Sequence, residues 1–154
     1  MKIFNFKKEL YVERPLEEVF NFFSRAENLQ KVTPPQLQFH ILTPLPIEMK
    51  TGTIIDYQLK VYHLPFSWRT EITEWDPPHK FTDIQVRGPY RKWIHQHFFE
   101  KSGDGTMMKD LLQYAIPGGI FATWINSLLV RKDIESIFRF REKRFREIFN
   151  LETR

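Results

Sequence analysis

Two histidines spaced by one residue, His95 and His97, sit in a run Trp93, His95, His97 and Phe99 that alternates with Lys92, Ile94, Gln96, Phe98 and Glu100. On a β-strand this period-two pattern sends the first set to one face and the second to the other. The set with two aromatics and no charged chain end is the inward one. Two imidazoles therefore face an interior, where an ionisable group must find partners or be used. Imidazole can hydrogen-bond, act as general acid or base, or ligate a metal. His-x-His with an inward Asp is the beginning of a Zn²⁺ site, but no fuller ligand set accompanies it, so neither a metal nor any other cofactor is assigned.

The partners follow from the next strand. If Ser102-Gly103-Asp104-Gly105 is a hairpin connection, Lys101 pairs with Thr106. Phe99 then stands opposite Met108, His97 opposite Asp110, His95 opposite Leu112 and Trp93 opposite Tyr114. Cross-strand β-carbons are about 4.5–5.5 Å apart, within reach for an imidazole and a carboxylate. On the preceding strand Phe81, Asp83 and Gln85 share a face, and a bulged turn at Gly88-Pro89 brings them alongside the histidines, whereas a strict two-residue turn inverts them. Further upstream, Ile55, Tyr57, Leu59 and Val61, then Trp68, Thr70 and Ile72, take the inner side by the same alternation.

These residues must be carried by strands, and the chain supplies them in order. Segments 4–12, 37–43, 52–62, 67–75, 80–87, 90–101 and 106–116 read as strands, separated by signals such as Asp76-Pro77-Pro78 and Gly88-Pro89. Between the first two lie two short helices: one opened by Pro15 and carrying Val19, Phe20, Phe22 and Phe23, the other over 26–32 and stopped before Pro34-Pro35. After Pro117-Gly118-Gly119, some thirty residues without Gly or Pro repeat Phe121, Trp124, Ile125, Leu128, Ile134, Ile137, Phe138, Phe145 and Ile148 near a helical period. This predicts one long amphipathic helix over 118–149, the only element long enough to cover an antiparallel sheet of seven strands. A bent sheet around one helix tends to leave an apolar space between them.

Composition narrows the classes. At 154 residues the chain is long enough for one domain with a real core, and we expect a single domain over 1–154. A formal charge of +4 is too mild to imply nucleic acid. The absence of Cys excludes disulfides, thiolate metal sites and a Cys nucleophile. Met1 to Glu9 lack the character of a signal peptide, and no apolar run reaches about 18 residues. The expectation is a soluble cytoplasmic protein with no stable membrane insertion. Arg139, Arg141, Lys143, Arg144 and Arg146, interleaved with Glu142 and Glu147, read as a solvated helix face. No Walker, Rossmann, serine-elbow or His-Glu-x-x-His pattern occurs.

The sequence resembles the START-like (SRPBCC) superfamily with the helix-grip, birch-pollen-allergen-like fold, which includes polyketide cyclases and dehydrases. The resemblance covers nearly the whole chain. It is carried by Glu13-Arg14-Pro15-Leu16-Glu17-Glu18-Val19-Phe20, Leu29 through Pro34-Pro35, Gly52-Thr53-Ile54, Trp68 through Ile72, Gly88-Pro89-Tyr90 with Trp93, His95 and His97, and Gly105-Thr106 through Asp110, Tyr114 and Pro117. It implies an α+β helix-grip domain whose hydrophobic cavity binds a lipid, polyketide or similar molecule, without implying a reaction.

The expected ligand-binding set is Tyr57, Leu59, Trp68, Thr70, Ile72, Asp83, Gln85, Trp93, His95, His97, Phe99, Asp110, Leu112, Tyr114, Trp124 and Leu128. Within it the histidines, Asp110, Asp83 and Tyr114 form either a structural hydrogen-bonded network or the polar patch that orients a ligand, and both can hold. A rival reading makes His95, His97, Asp110 and Tyr114 the acid–base machinery of a cyclase or dehydrase. A third makes the domain an interaction module through the apolar stretch 61–68. The partner expected on the first reading is a hydrophobic or amphipathic small molecule; oligomeric state stays open.

Overall fold

The computed structural model describes residues 1–149. Seven strands form one antiparallel sheet: β1 (Phe4–Val12), β2 (His40–Ile41), β3 (Ile54–Val61), β4 (Leu64–Asp76), β5 (Lys80–Arg87), β6 (Lys92–Ser102) and β7 (Gly105–Ala115). Their order across the sheet is β1-β7-β6-β5-β4-β3-β2, so the chain meanders from β2 to β7 and β1 closes on β7. Helices α1 (Leu16–Phe23) and α2 (Ala26–Leu29) follow β1. The C-terminal helix carries α3 (Ala122–Ile125), a π turn over Asn126–Val130 and α4 (Arg131–Ile148). This is the seven-stranded helix-grip architecture expected from the sequence.

The predicted pairing of β6 with β7 is the observed one, from Trp93 opposite Tyr114 to Lys101 opposite Thr106. The connection is tighter than four residues, because Ser102 already pairs with Gly105 and Gly103 takes φ +58° at the tip. Of the two registers considered for β5, the bulged one is formed, with Phe81 opposite His97 and Asp83 opposite His95. The predicted strand over 37–43 shrinks to His40–Ile41. A 3₁₀ turn at Pro35–Leu37 precedes it, and Gln38 takes φ 45°, which ends that turn in a conformation no strand can continue.

The C-terminal helix departs from one uniform α-helix at two places. Gly118 at φ +130° turns the chain out of β7, and a 3₁₀ turn (Gly119–Phe121) leads in. The π turn then inserts a wider turn before α4. Beyond it, Ile134, Phe138 and Phe145 are buried at spacings of four and seven, and this stripe faces the sheet.

Two apolar clusters fill opposite parts of the space between sheet and helices. One joins Phe6, Leu112, Tyr114 and Ile116 to Ala122, Val130, Ile134 and Phe138. The other joins Val12, Phe81, Phe99 and Met108 to Val19 and Phe20 of α1 and Phe145 of α4. No helix among the described residues is long and apolar enough to cross a membrane.

Candidate functional site

Between the two clusters lies a cavity of about 670 Å³, within the range of small-molecule sites. Its floor is the inner face of β3 to β6. Tyr57 and Leu59 come from β3, Trp68, Thr70 and Ile72 from β4, Asp83 from β5, and Trp93, His95 and His97 from β6, with Asp110 from β7. Its roof is Ile134, Ile137, Phe138 and Arg141 of α4, and α2 with the 3₁₀ turns after it closes one side through Leu29, Val32 and Leu37. Tyr62, His63 and Leu64 at the β3–β4 tip also belong to the wall, and their exposure marks where it meets solvent.

The polar floor is a chain of four ionisable side chains from three adjacent strands. His95 Nε2 donates to Asp110 Oδ1 at 2.8 Å, and His97 Nε2 donates to Asp83 Oδ2 at 2.7 Å. His97 Nδ1 lies 3.1 Å from the same Asp110 oxygen. The hydrogen bonds therefore run diagonally, since His95 faces Leu112 across the ladder and His97 faces Phe81 on its other side. The expected His97–Asp110 contact is present as an ion pair, and Asp83 joins it. His95 and His97 stack with ring centroids 3.8 Å apart, and Phe81 covers the other face of His97 at 4.0 Å.

An imidazole with a carboxylate at each nitrogen is best matched by its doubly protonated form. Burial works against the His97 charge, but Asp110 and Asp83 outweigh it and raise the pKa. For His95 burial and the neighbouring His97 charge win over Asp110 and lower the pKa, which leaves a neutral ring donating from Nε2. Burial would raise both carboxyls, yet the histidines hold Asp83 low and Asp110 far below the usual carboxylate range. The directions of these shifts favour a charged His97 between two carboxylates and a neutral His95.

Asp83, His95 and His97 each bring one ligand atom within 4.8 Å of the others. The Nε2 atoms of both histidines are hydrogen-bonded to carboxylates, His95 to Asp110 and His97 to Asp83.

Ten of the sixteen expected residues line the cavity and six do not. Phe99 is buried in the second cluster against Phe20, Phe23 and Phe81. Leu112 and Tyr114 point inward as expected, but the N-terminal half of the long helix packs directly on them, and the Tyr114 hydroxyl donates to Asn126 Oδ1 at 2.6 Å. Gln85 is held by its own loop, donating to the Tyr90 carbonyl and accepting from its N–H. Trp124 and Leu128 are 73% and 63% exposed. The buried positions there are Ala122, Asn126 and Val130, and a residue two places from each lies about 200° away around a helix.

The converse error is Arg141. Arg139 and Lys143 are exposed and Arg144 and Arg146 pair with Glu147 and Glu142, but Arg141 lines the cavity beside Phe138, its guanidinium carbon 5.1 Å from that ring. Its signal was spacing: Ile134, Phe138, Arg141 and Phe145 step by four, three and four along one face.

The fold and the site together define a helix-grip protein with a mostly apolar pocket between sheet and long helix. The chain belongs to the polyketide cyclase / dehydrase and lipid transport family, whose model matches residues 12–138. Among solved structures it is similar to TTHA0849 from Thermus thermophilus, with TM-score 0.65 and 20% identity over 91% of this chain and 95% of that one. It is similar to Ara h 8.0201, with TM-score 0.63 and 14% identity over 92% and 97%. The di-domain ARO/CYC StfQ from the steffimycin biosynthetic pathway matches with TM-score 0.68 and 11% identity, over 97% of this chain and 53% of that chain. No sequence match among curated proteins was found. At these identities the structural likeness establishes the shared fold.

Proposed function

We propose that the protein binds one hydrophobic or amphipathic small molecule, of the lipid or polyketide kind, in the cavity between β3–β6 and α4. The observation that carries this reading is the 670 Å³ of unfilled space walled by apolar side chains with one polar patch on its floor. A core meant only for stability is close-packed, because each void forfeits dispersion contacts. Native mass spectrometry of the purified protein, followed by extraction, tests it. An apolar molecule near one per chain is expected, and repeated absence across several expression hosts counts against binding.

A second reading, an enzyme of the cyclase or dehydrase type, keeps one supporting observation: His97, charged and held between two carboxylates, borders the cavity as a potential proton donor. It loses Tyr114, whose hydroxyl is outside the cavity and engaged with Asn126. If His97→Gln retains ligand binding while turnover of a candidate polyketide disappears, the enzyme reading replaces the pure binder.

A further inference from the structure

The cavity's polar groups divide unevenly into donors and acceptors. One oxygen of each floor carboxylate is engaged: Asp110 Oδ1 by His95 and His97, Asp83 Oδ2 by His97. Tyr57 and Thr70 are paired with each other at 3.0 Å. Two buried donors stay without a partner. Arg141 Nε and Trp68 Nε1 are both buried, and neither finds a hydrogen-bond partner among the described residues. Orphaned buried N–H groups are uncommon, and a guanidinium, with five donors and no acceptor, is the costliest group to leave so.

The two orphans share one part of the site. Trp68 stacks on Tyr57, with centroids 5.9 Å apart and an interplanar angle of 16°, and the Arg141 charge acts on Tyr57 as well as on Asp110 and Asp83. Asp83 and Asp110 attract Arg141 without a hydrogen bond to it, while one oxygen of each is held by the imidazoles. A cationic ligand would be repelled by Arg141 and by a charged His97. A neutral hydrocarbon would leave both donors buried and dry.

We propose that the molecule held here carries an anionic, oxygen-bearing head, a carboxylate being the simplest, bound by Arg141 with Trp68 as a second donor while its apolar body occupies the rest of the cavity. This rests on reading the cavity as a small-molecule site, and it names the class of molecule that site selects. Guanidinium and carboxylate match as planar, two-pronged partners, which makes Arg141 the residue that sets head-group specificity.

Calorimetric titration of the intact chain with decanoate and with decanol, acid and alcohol of equal chain length, tests it. In the wild type the acid binds roughly tenfold or more tightly than the alcohol. Arg141→Met removes that preference, bringing the acid-to-alcohol ratio of affinities close to one. Arg141→Lys, with charge but no planar fork, keeps part of it. If Arg141→Met does not fold by circular dichroism, Trp68→Phe serves, and a fall of roughly threefold in the acid-to-alcohol ratio is expected. Equal binding of acid and alcohol by the wild type, or a preference unchanged in the variants, overturns the anionic head and leaves the apolar cavity standing. Failure of both probes, and of shorter and branched pairs, overturns the cavity reading and this inference with it.

Discussion

The inner face of the sheet is covered in two different ways. Toward the end occupied by α1, the faces of β5 to β7 meet two layers of aromatic side chains: Phe20 packs on Phe81, Phe99 and Trp75, and Phe23 packs on Phe99 and Phe145. In the middle, the inner faces of β3 to β6 meet the long helix and the short helical turns after α1, and those leave the space unfilled. Both regions obey the same inward alternation. The linked ionisable side chains His95, His97, Asp83 and Asp110, with Arg141, border the void of the second. Phe81 and His97, stacked ring on ring, mark the boundary. A close-packed end stabilises the fold, and it permits a partly empty middle that a ligand can complete.

Truncating one side chain in each region tells a filled core from an open one. Phe145→Ala, in the filled end at 0% exposure, should cost about 3–5 kcal/mol in urea unfolding. Ile137→Ala, whose side chain already faces open space, should cost about 1 kcal/mol. Equal losses would mean that the middle is as tightly packed as the end.

Removing Asp110 examines the charged floor. Asp110→Leu strips His95 of its acceptor and leaves His97 with Asp83 alone, and a loss of about 3 kcal/mol is expected in the same assay. A loss below about 1 kcal/mol would show that the network contributes little and that its members are exposed to water in solution.

The same cluster gives stability a pH signature. His97 has a raised pKa, so the folded chain holds its proton longer than the unfolded chain, and that contribution is complete below 6.5 and lost as pH rises through the folded value. His95 has a lowered pKa, so between its folded value and 6.5 the unfolded chain binds more protons, and stability falls as pH drops. Asp83 and Asp110, both lowered, add to the acid-side loss below 3.8. Arg141 stays charged throughout. The cluster's contribution to Tm should therefore peak near 6.5, and His97→Gln should remove the alkaline-side decline. A wild-type profile that keeps rising from about pH 6 to 8 would contradict the assignment of charge.

How much of this the residues announced depends on what each feature needs. The β6–β7 register was legible because Ser102-Gly103-Asp104-Gly105 pins the hairpin, and period two then assigns every inward residue on both strands. Alternation says which side a residue faces and nothing about what faces it. Phe99, Leu112 and Tyr114 were thus placed inward correctly and in the cavity wrongly, since the helix that covers them is set by packing across the whole chain. Arg141 was grouped with four neighbouring cations by composition, although its helical spacing put it on the apolar stripe. Trp124 and Leu128 lie before and within the π turn, where the hydrophobic period of the outer face competes with that of the buried one. The smallest expected effect belongs here: Trp124→Ser should change stability by no more than about 0.5 kcal/mol, and a larger loss would show that this exposed ring is covered in solution.

Methyl NMR during titration with decanoate tests the central contrast most directly. Shifts are expected at Ile55, Ile72 and Ile137, which line the cavity, and none at Val12, Val19 and Met108 in the filled end. Shifts confined to Leu128 and Ile120 on the outer surface, or spread evenly through both regions, would contradict it.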